Sequence, residues 1–279
     1  MQADSLAVTQ AVELLARHAL PAFALVMLLM LAGITALWHL LRRFGVRAPD
    51  SARSPLAYML AYIAMGFAFI VGAAAVFAEI ARHLGDGRRL GQIDLLFSNT
   101  LHPNIGSPAL QVFAGLTHLG DPLTLTGLAV AIALWLAWLK RFPLVAGWVL
   151  AVGGNAVLNP LLKGIFQRAR PIHESGLTIA EGYSFPSGHS SGSVVAYGML
   201  AYVLCRTLPE RWSGWRLPVV LLAAATAFIV CSSRVILQVH FVSDVLAGMA
   251  SGSIWLALCI GAVELVRYRQ QFTARTFAK

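Results

Sequence analysis

Apolar residues in this chain come in long runs separated by short polar connectors, a pattern that predicts helices crossing a bilayer. Seven runs stand out, at residues 19–41, 56–80, 122–139, 144–162, 190–207, 217–232 and 242–266. A helix needs about 20 mostly apolar residues to span the hydrocarbon core, and the fourth and sixth runs fall slightly short. The first run is too long and too far from the start for a signal-peptide core, and no small-residue cleavage site follows it, so it is read as a true span. The stretch 81–121 differs. Its Leu95, Leu96, Phe97, Leu110, Phe113 and Leu116 recur at mixed helical spacing between polar residues, which predicts two short amphipathic helices at the membrane interface. The fold class that follows is an all-α polytopic transmembrane bundle of about six to seven spans, with short interfacial helices.

Composition supports lipid as the solvent. Apolar residues make up 58% of the 279-residue chain and charged residues 12%, with a mean hydropathy of +0.72, whereas soluble domains carry about 25% charged residues. Neither a linker nor an internal repeat divides the chain. The net charge of +9 raises nucleic acid as a partner on a soluble protein. Here the basic residues sit mainly in connectors, where they write topology instead. Connectors after spans one, three, five and seven hold 13 Lys and Arg, against 8 on the other side. The positive-inside rule then places the N-terminus outside and the C-terminal tail in the cytoplasm. Cys205, Cys231 and Cys259 all lie inside apolar runs without CxxC spacing, so no disulfide framework is read from them.

Three polar segments interrupt this pattern. They run from Lys163 through Arg168 to Arg170-Pro171, from Pro186 through Ser187 and Gly188 to His189, and from Ser233-Arg234 to His240 and Asp244. Lys163 ends span four, His189 opens span five, Arg234 ends span six and His240 opens span seven, so two helical hairpins bring all three segments to the outer face. Lys163, Arg170 and Arg234 supply three positive charges suited to the oxygens of a phosphoryl group in transfer, and arginine adds a bidentate fork. Ser187 and Gly188 precede a helix, where free N–H groups favour an anion. His240 and Asp244 are four apart and are expected on one helix face, the carboxylate orienting one imidazole nitrogen while the other attacks phosphorus. His189 is left to protonate the leaving oxygen and then to activate water. An interfacial histidine, a snorkelling arginine or a simple helix cap would explain each segment singly, but not why the three converge. His18, His39, His83 and His102 read as interfacial, with His118 and His173 nearest to pocket membership. Without HExxH, paired carboxylates or Cys/His ligand spacing, no metal or other cofactor is expected.

These segments resemble the signature of the type 2 phosphatidic acid phosphatase superfamily, which includes the vanadium haloperoxidases: Lys-x6-Arg-Pro, Pro-Ser-Gly-His and Ser-Arg-x5-His-x3-Asp. All three parts match without a gap or substitution, over about residues 117–266. The resemblance implies a metal-independent phosphatase with a phosphohistidine intermediate. It assigns Lys163, Arg170, Arg234, Ser187 and Gly188 to the phosphate, His189 to acid/base work, His240 to attack and Asp244 to orienting His240. Family members commonly have six spans with the N-terminus inside, so the run at 19–41 is an extra one.

The expected organisation is N-terminal spans and interfacial helices over 1–116, a catalytic core over 117–266 and a cytoplasmic tail over 267–279. The expected substrate is a membrane lipid phosphate monoester or diphosphate, such as phosphatidate, phosphatidylglycerophosphate or a polyprenyl (undecaprenyl) diphosphate. The expected place is a bacterial cytoplasmic membrane with the site facing the periplasm or exterior. Alternatives are a lipid phosphotransferase using the same residues, or an anion transporter, which would need charges deeper in the spans. Asn155 and Asn159-Pro160 are the notable polar break there, read as a kink or helix contact.

Overall fold

The structure is a computed structural model and describes residues 2–43, 55–84, 87–172 and 181–277. Arg47, Arg53 and Lys279 of the basic count, and His173, lie outside the described residues. The described residues form helices α1 (Gln2–Arg17), α2 (Ala19–Arg43), α3 (Pro55–Arg82), α4 (Arg89–Leu101), α5 (Ser107–Thr117), α6 (Pro122–Trp138), α7 (Phe142–Phe166), α8 (Gly188–Thr207), α9 (Arg216–Ile236) and α10 (Val242–Phe277), with short 3-10 turns and no strand among them. Proline occupies the first turn of α5, α6 and α7, where its missing N–H has no intrahelical partner to lose.

The expected spans appear with three physical differences. Five helices are long and apolar enough to cross a membrane singly: α2, the 63–82 part of α3, α7, α9 with its preceding turn, and α10 as far as Gln270. The third run is too short alone. It qualifies only when α5 and α6 are taken as one pair bent by 41° at Asp121, the form of a broken span or of a re-entrant loop. The fifth run, α8, does not qualify by composition. It packs against α7, α9 and α10, and most of its serines and glycines face protein, so it has little lipid to meet. The N-terminal helix α1 was not foreseen as an element; it lies on α4. Residues 267–277 continue α10 without a break.

Two clusters hold the bundle. One centres on Leu136, Trp148, Val195, Met199 and Val263, with the Trp148 indole donating to Ala129 O at 2.8 Å and the Trp255 indole to Ala151 O at 3.0 Å. The other joins Ala16 and Ala19 to Leu101, Cys231, Val235 and Val245, which ties the N-terminal helices to the end of the bundle where α9 gives way to α10. The apolar windows of α2 and α3 bury nothing within the chain; Leu28, Leu29, Phe67 and Phe69 face outward, as lipid-facing positions should. Glycines let helices meet closely at several points, and at Gly248 and Gly252 of α10 the nearest obstructing atom is α8-side main chain. A Cβ at Gly248 would lie 2.6 Å from Ser187 O, and one at Gly252 2.8 Å from Ser191 O. All three cysteines are free.

Candidate active site

One end of the bundle brings together Lys163, Arg170, Ser187, Gly188, His189, Arg234, His240 and Asp244. α7 ends when Gln167 turns left-handed (φ 46°), and the chain then runs beside residues 181–187. Ser184 fixes that pairing: its N–H and hydroxyl donate to Arg168 O (2.8 and 3.2 Å), and the hydroxyl also donates to Ala169 O at 2.7 Å. Lys163, in the last turn of α7, donates to Tyr183 O at 2.8 Å. Arg170 reaches back over the same strip, donating from Nε to Gly182 O (3.0 Å) and from Nη2 to Glu181 O (2.9 Å). Its Nη1 donates to Val239 O at 2.7 Å and stands 3.3 Å from His240 Nε2.

Ser187 caps α8, accepting from Ser190 N at 3.4 Å, and its own N–H donates to Asp244 O at 3.0 Å. The Pro-Ser-Gly turn is therefore docked on the first turn of α10. Gly188 lies where a Cβ would meet Asn159 Oδ1 at 2.8 Å. Asn159 donates to Pro186 O and Ser191 Oγ, both at 3.3 Å, which makes the polar break in α7 a contact to α8, as expected.

At the end of α9 the backbone curls over Arg234, whose carbonyl accepts from Val239 N and His240 N, each at 3.2 Å. Arg234 is 2% exposed. Its Nη1 donates to Thr117 Oγ1 at 2.7 Å, while its Nε is buried without a hydrogen-bond partner. His240 lies in the turn before α10 and Asp244 in the first helical turn, so the expected shared helix face is corrected: four residues of separation bridge a turn and a helix start. Asp244 Oδ2 accepts from Phe241 N at 2.9 Å and faces His240 Nδ1 at 3.5 Å, and that nitrogen has no nearer partner. Burial pushes His240 down to about 3, against the pull of Asp244, which leaves the imidazole neutral and its Nε2 lone pair available.

Several residues missed from the sequence complete the site. His189 Nε2 pairs with Asp121 Oδ1 at 2.8 Å, and Asp121 Oδ2 pairs with exposed His118 Nδ1 at 2.6 Å. Asp121 opens α6 yet makes no cap bond of its own, because both oxygens serve the histidines. Arg168, named above within the first polar segment but given no role there, is a buried partner of Asp94 and Asp244. The readable signal for these acids was scarcity: with only 12 Asp and Glu in the chain, one standing among leucines or at a span break has a reason to be there.

These side chains open onto a cavity of about 450 Å³. Lys163, Arg170, Arg234, His189 and His240 line it with Thr126, Asn155, Asn159 and Glu181, its one lining carboxylate, and Leu125, Val152, Ala156 and Val195 add apolar wall. Fixed cations around two histidines, at the end of a membrane bundle, define a membrane phosphatase. The PAP2 superfamily model matches residues 144–268. Phosphatidylglycerophosphatase B of Bacillus subtilis (strain 168) is 35% identical over 167 residues, covering 58% of this chain and 79% of that protein. The crystal structure of a protein described as the first transmembrane PAP2 type phosphatidylglycerolphosphate phosphatase, also from Bacillus subtilis, superposes with a TM-score of 0.64 at 30% identity. That match covers 69% of this chain and 94% of the other. The chain belongs to the PAP2 superfamily and is an integral membrane phosphatase of phosphoric monoesters.

Proposed function

We propose that this protein hydrolyses the terminal phosphate monoester of an anionic glycerophospholipid, phosphatidylglycerophosphate first among them, through a phosphohistidine at His240. The carrying observation is the cavity itself: three cations and two histidines share its lining with apolar side chains, and its volume exceeds that of a phosphate alone. The orphaned Arg234 Nε gains an acceptor when a phosphate oxygen arrives, and Arg170 Nη1 beside His240 Nε2 marks where that oxygen sits.

In the reaction, the neutral His240 Nε2 attacks phosphorus as the bond to the leaving alkoxide breaks, and His189 gives that oxygen its proton. His189 then takes a proton from water, whose oxygen displaces His240 and releases inorganic phosphate. Lys163, Arg170, Arg234 and the N–H groups at Ser187 and Gly188 stabilise the charge spread over the equatorial oxygens. Asp244 orients His240, and Asp121 holds His189. The catalytic core takes in residues 117–266. The site faces away from the cytoplasm, since the connectors on its side are the less basic ones, and the cations held by function account for three of their eight charges.

The test is phosphate release by purified protein from a panel of phosphatidylglycerophosphate, phosphatidate and a polyprenyl diphosphate, with acid-labile, base-stable phosphate captured on the wild type and on His240→Ala. Labelling of the wild type alone, with the glycerophospholipid ester turned over fastest, is expected. A His240→Ala protein that keeps its turnover sinks the mechanism, and preference for the diphosphate sinks the substrate assignment.

A further inference from the structure

Beside the phosphate cavity lies a buried ion cluster, two of whose members stand outside the three-part signature. Arg168 falls among the six unassigned positions between Lys163 and Arg170, and Asp94 belongs to α4, upstream of the family match at 144–268. Arg168 Nη2 donates to Asp94 Oδ2 at 2.8 Å, while Nη1 donates to Asp244 Oδ1 and to Ser243 Oγ, both at 2.7 Å. Ser243 closes the ring: its N–H donates to Asp94 Oδ1 at 3.2 Å, and its hydroxyl hydrogen-bonds Asp94 Oδ2. The guanidinium also lies 4.3 Å over the Phe241 ring. Side-chain exposure is 8% for Arg168, 2% for Asp94 and 0% for Asp244.

We infer that Asp94 and Arg168 are positioning residues for the reaction, holding Asp244 in the one rotation that presents its second oxygen to His240, and that α4 is thereby part of the active-site scaffold. This rests on the reading in which His240 attacks and Asp244 orients it. Asp244 has two side-chain oxygens and two protein N–H sources: Arg168 takes Oδ1, and Phe241 N takes Oδ2, the oxygen that faces His240 Nδ1. If Arg168 is lost, Oδ1 is left buried and unsatisfied, and the carboxylate turns to relieve it. If Asp94 is lost, the guanidinium fork is freed to close on Asp244 through both nitrogens, the geometry it prefers with a carboxylate, and Oδ2 is drawn away from His240. Either change leaves the phosphate cations untouched and spoils only the nucleophile's alignment.

The experiment uses full-length protein in mixed micelles of lipid substrate, with kcat, KM, thermal midpoint and covalent phosphate measured on folded, monodisperse material. Asp94→Asn is close to isosteric, and a loss like the one outer-shell partners of metal ligands show, about 10–100-fold, is expected in kcat with KM nearly unchanged. Arg168→Lys should fall likewise, because one ammonium does not bridge two carboxylates. The discriminating variant is Asp94→Leu/Arg168→Met. Removing Asp94 together with Arg168 avoids stranding the Asp94 carboxylate, although Asp244 Oδ1 still loses its donor, so the midpoint should lie above that of Arg168→Met alone while kcat stays at least about 10-fold low. Full kcat in Asp94→Asn, or in the double variant, overturns the inference. Turnover surviving in His240→Ala overturns the underlying reading instead, and the two failures are told apart by that one control.

Discussion

Gly248→Ala perturbs the joint between the phosphate turn and the nucleophile without touching any reactive group. A Cβ there would sit 2.6 Å from Ser187 O, 3.0 Å from Ser190 Cβ and 3.3 Å from Ser187 N. Ordinary contacts lie at about 3.5 Å, so the two backbones must separate by roughly 0.5–1 Å. The obstructing oxygen belongs to the main chain and accepts from Ser191 N at 3.1 Å, so no side-chain rotation relieves the clash. The Ser187 N–H bond to Asp244 O stretches with it. Overpacking of this kind costs about 1–3 kcal/mol, and a misplacement near 1 Å costs about 10²-fold in rate. The matched control is Gly261→Ala on the same helix, where an added Cβ meets nothing within 4 Å and the helix gains about 0.5–1 kcal/mol. Both variants would be assayed for kcat and KM on phosphatidylglycerophosphate and for thermal midpoint in one detergent. A Gly248→Ala protein with wild-type kcat would refute the view that α8 and α10 carry the site as one rigid unit.

Other outcomes follow from the same geometry. His240→Ala should lose at least about 10⁴-fold in kcat, and His189→Ala about 10²–10⁴-fold, as for a general acid; comparable mild losses in both would contradict the division of roles. Because burial holds His240 near 3, its nitrogen-15 shifts in the free enzyme should stay those of a neutral ring from about pH 5 to 8, and titration near 6.5 would count against the nucleophile being poised. Activity should survive EDTA and be inhibited by vanadate, since fixed cations do the work that magnesium does in kinases; a strict magnesium requirement with chelated substrate would contradict this. In a cysteine-free background, Asn104→Cys should label with an impermeant maleimide on intact cells while Ser213→Cys stays dark, and the reverse pattern would turn the protein over in the membrane.

The site was legible where its chemistry is local. Lys163 with Arg170, Ser187 with Gly188 and His189, and Arg234 with His240 and Asp244 each fall within a few residues at the end of an apolar run, and alternation of the runs was enough to bring them to one end. The residues that hold them were not legible in that way. Asp121 reaches His189 across 68 positions and Asp94 reaches Ser243 across 149, and no spacing rule encodes a contact made by packing. The bend at Asp121 is different in kind: Gly120-Asp121-Pro122 is a helix-breaking triplet visible in the sequence.

The composition of α8 has a consequence for biogenesis. This helix carries the phosphate turn at its start, but among the described residues it is not one of those apolar enough to cross a membrane. Its Ser190, Ser191, Gly192 and Ser193 are buried against other helices of the bundle, and polar groups of that kind disfavour release into lipid one helix at a time. α8 therefore enters the membrane in company, most directly with α9, the next span in the chain and a packing neighbour. An insertion reporter carrying residues 188–207 alone should fail to integrate where one carrying 188–236 succeeds, and equal integration of the two would show that α8 needs no partner. Of the four helices α7 to α10 that carry the catalytic end, α8 is thus the one that depends on protein neighbours for its place in the bilayer.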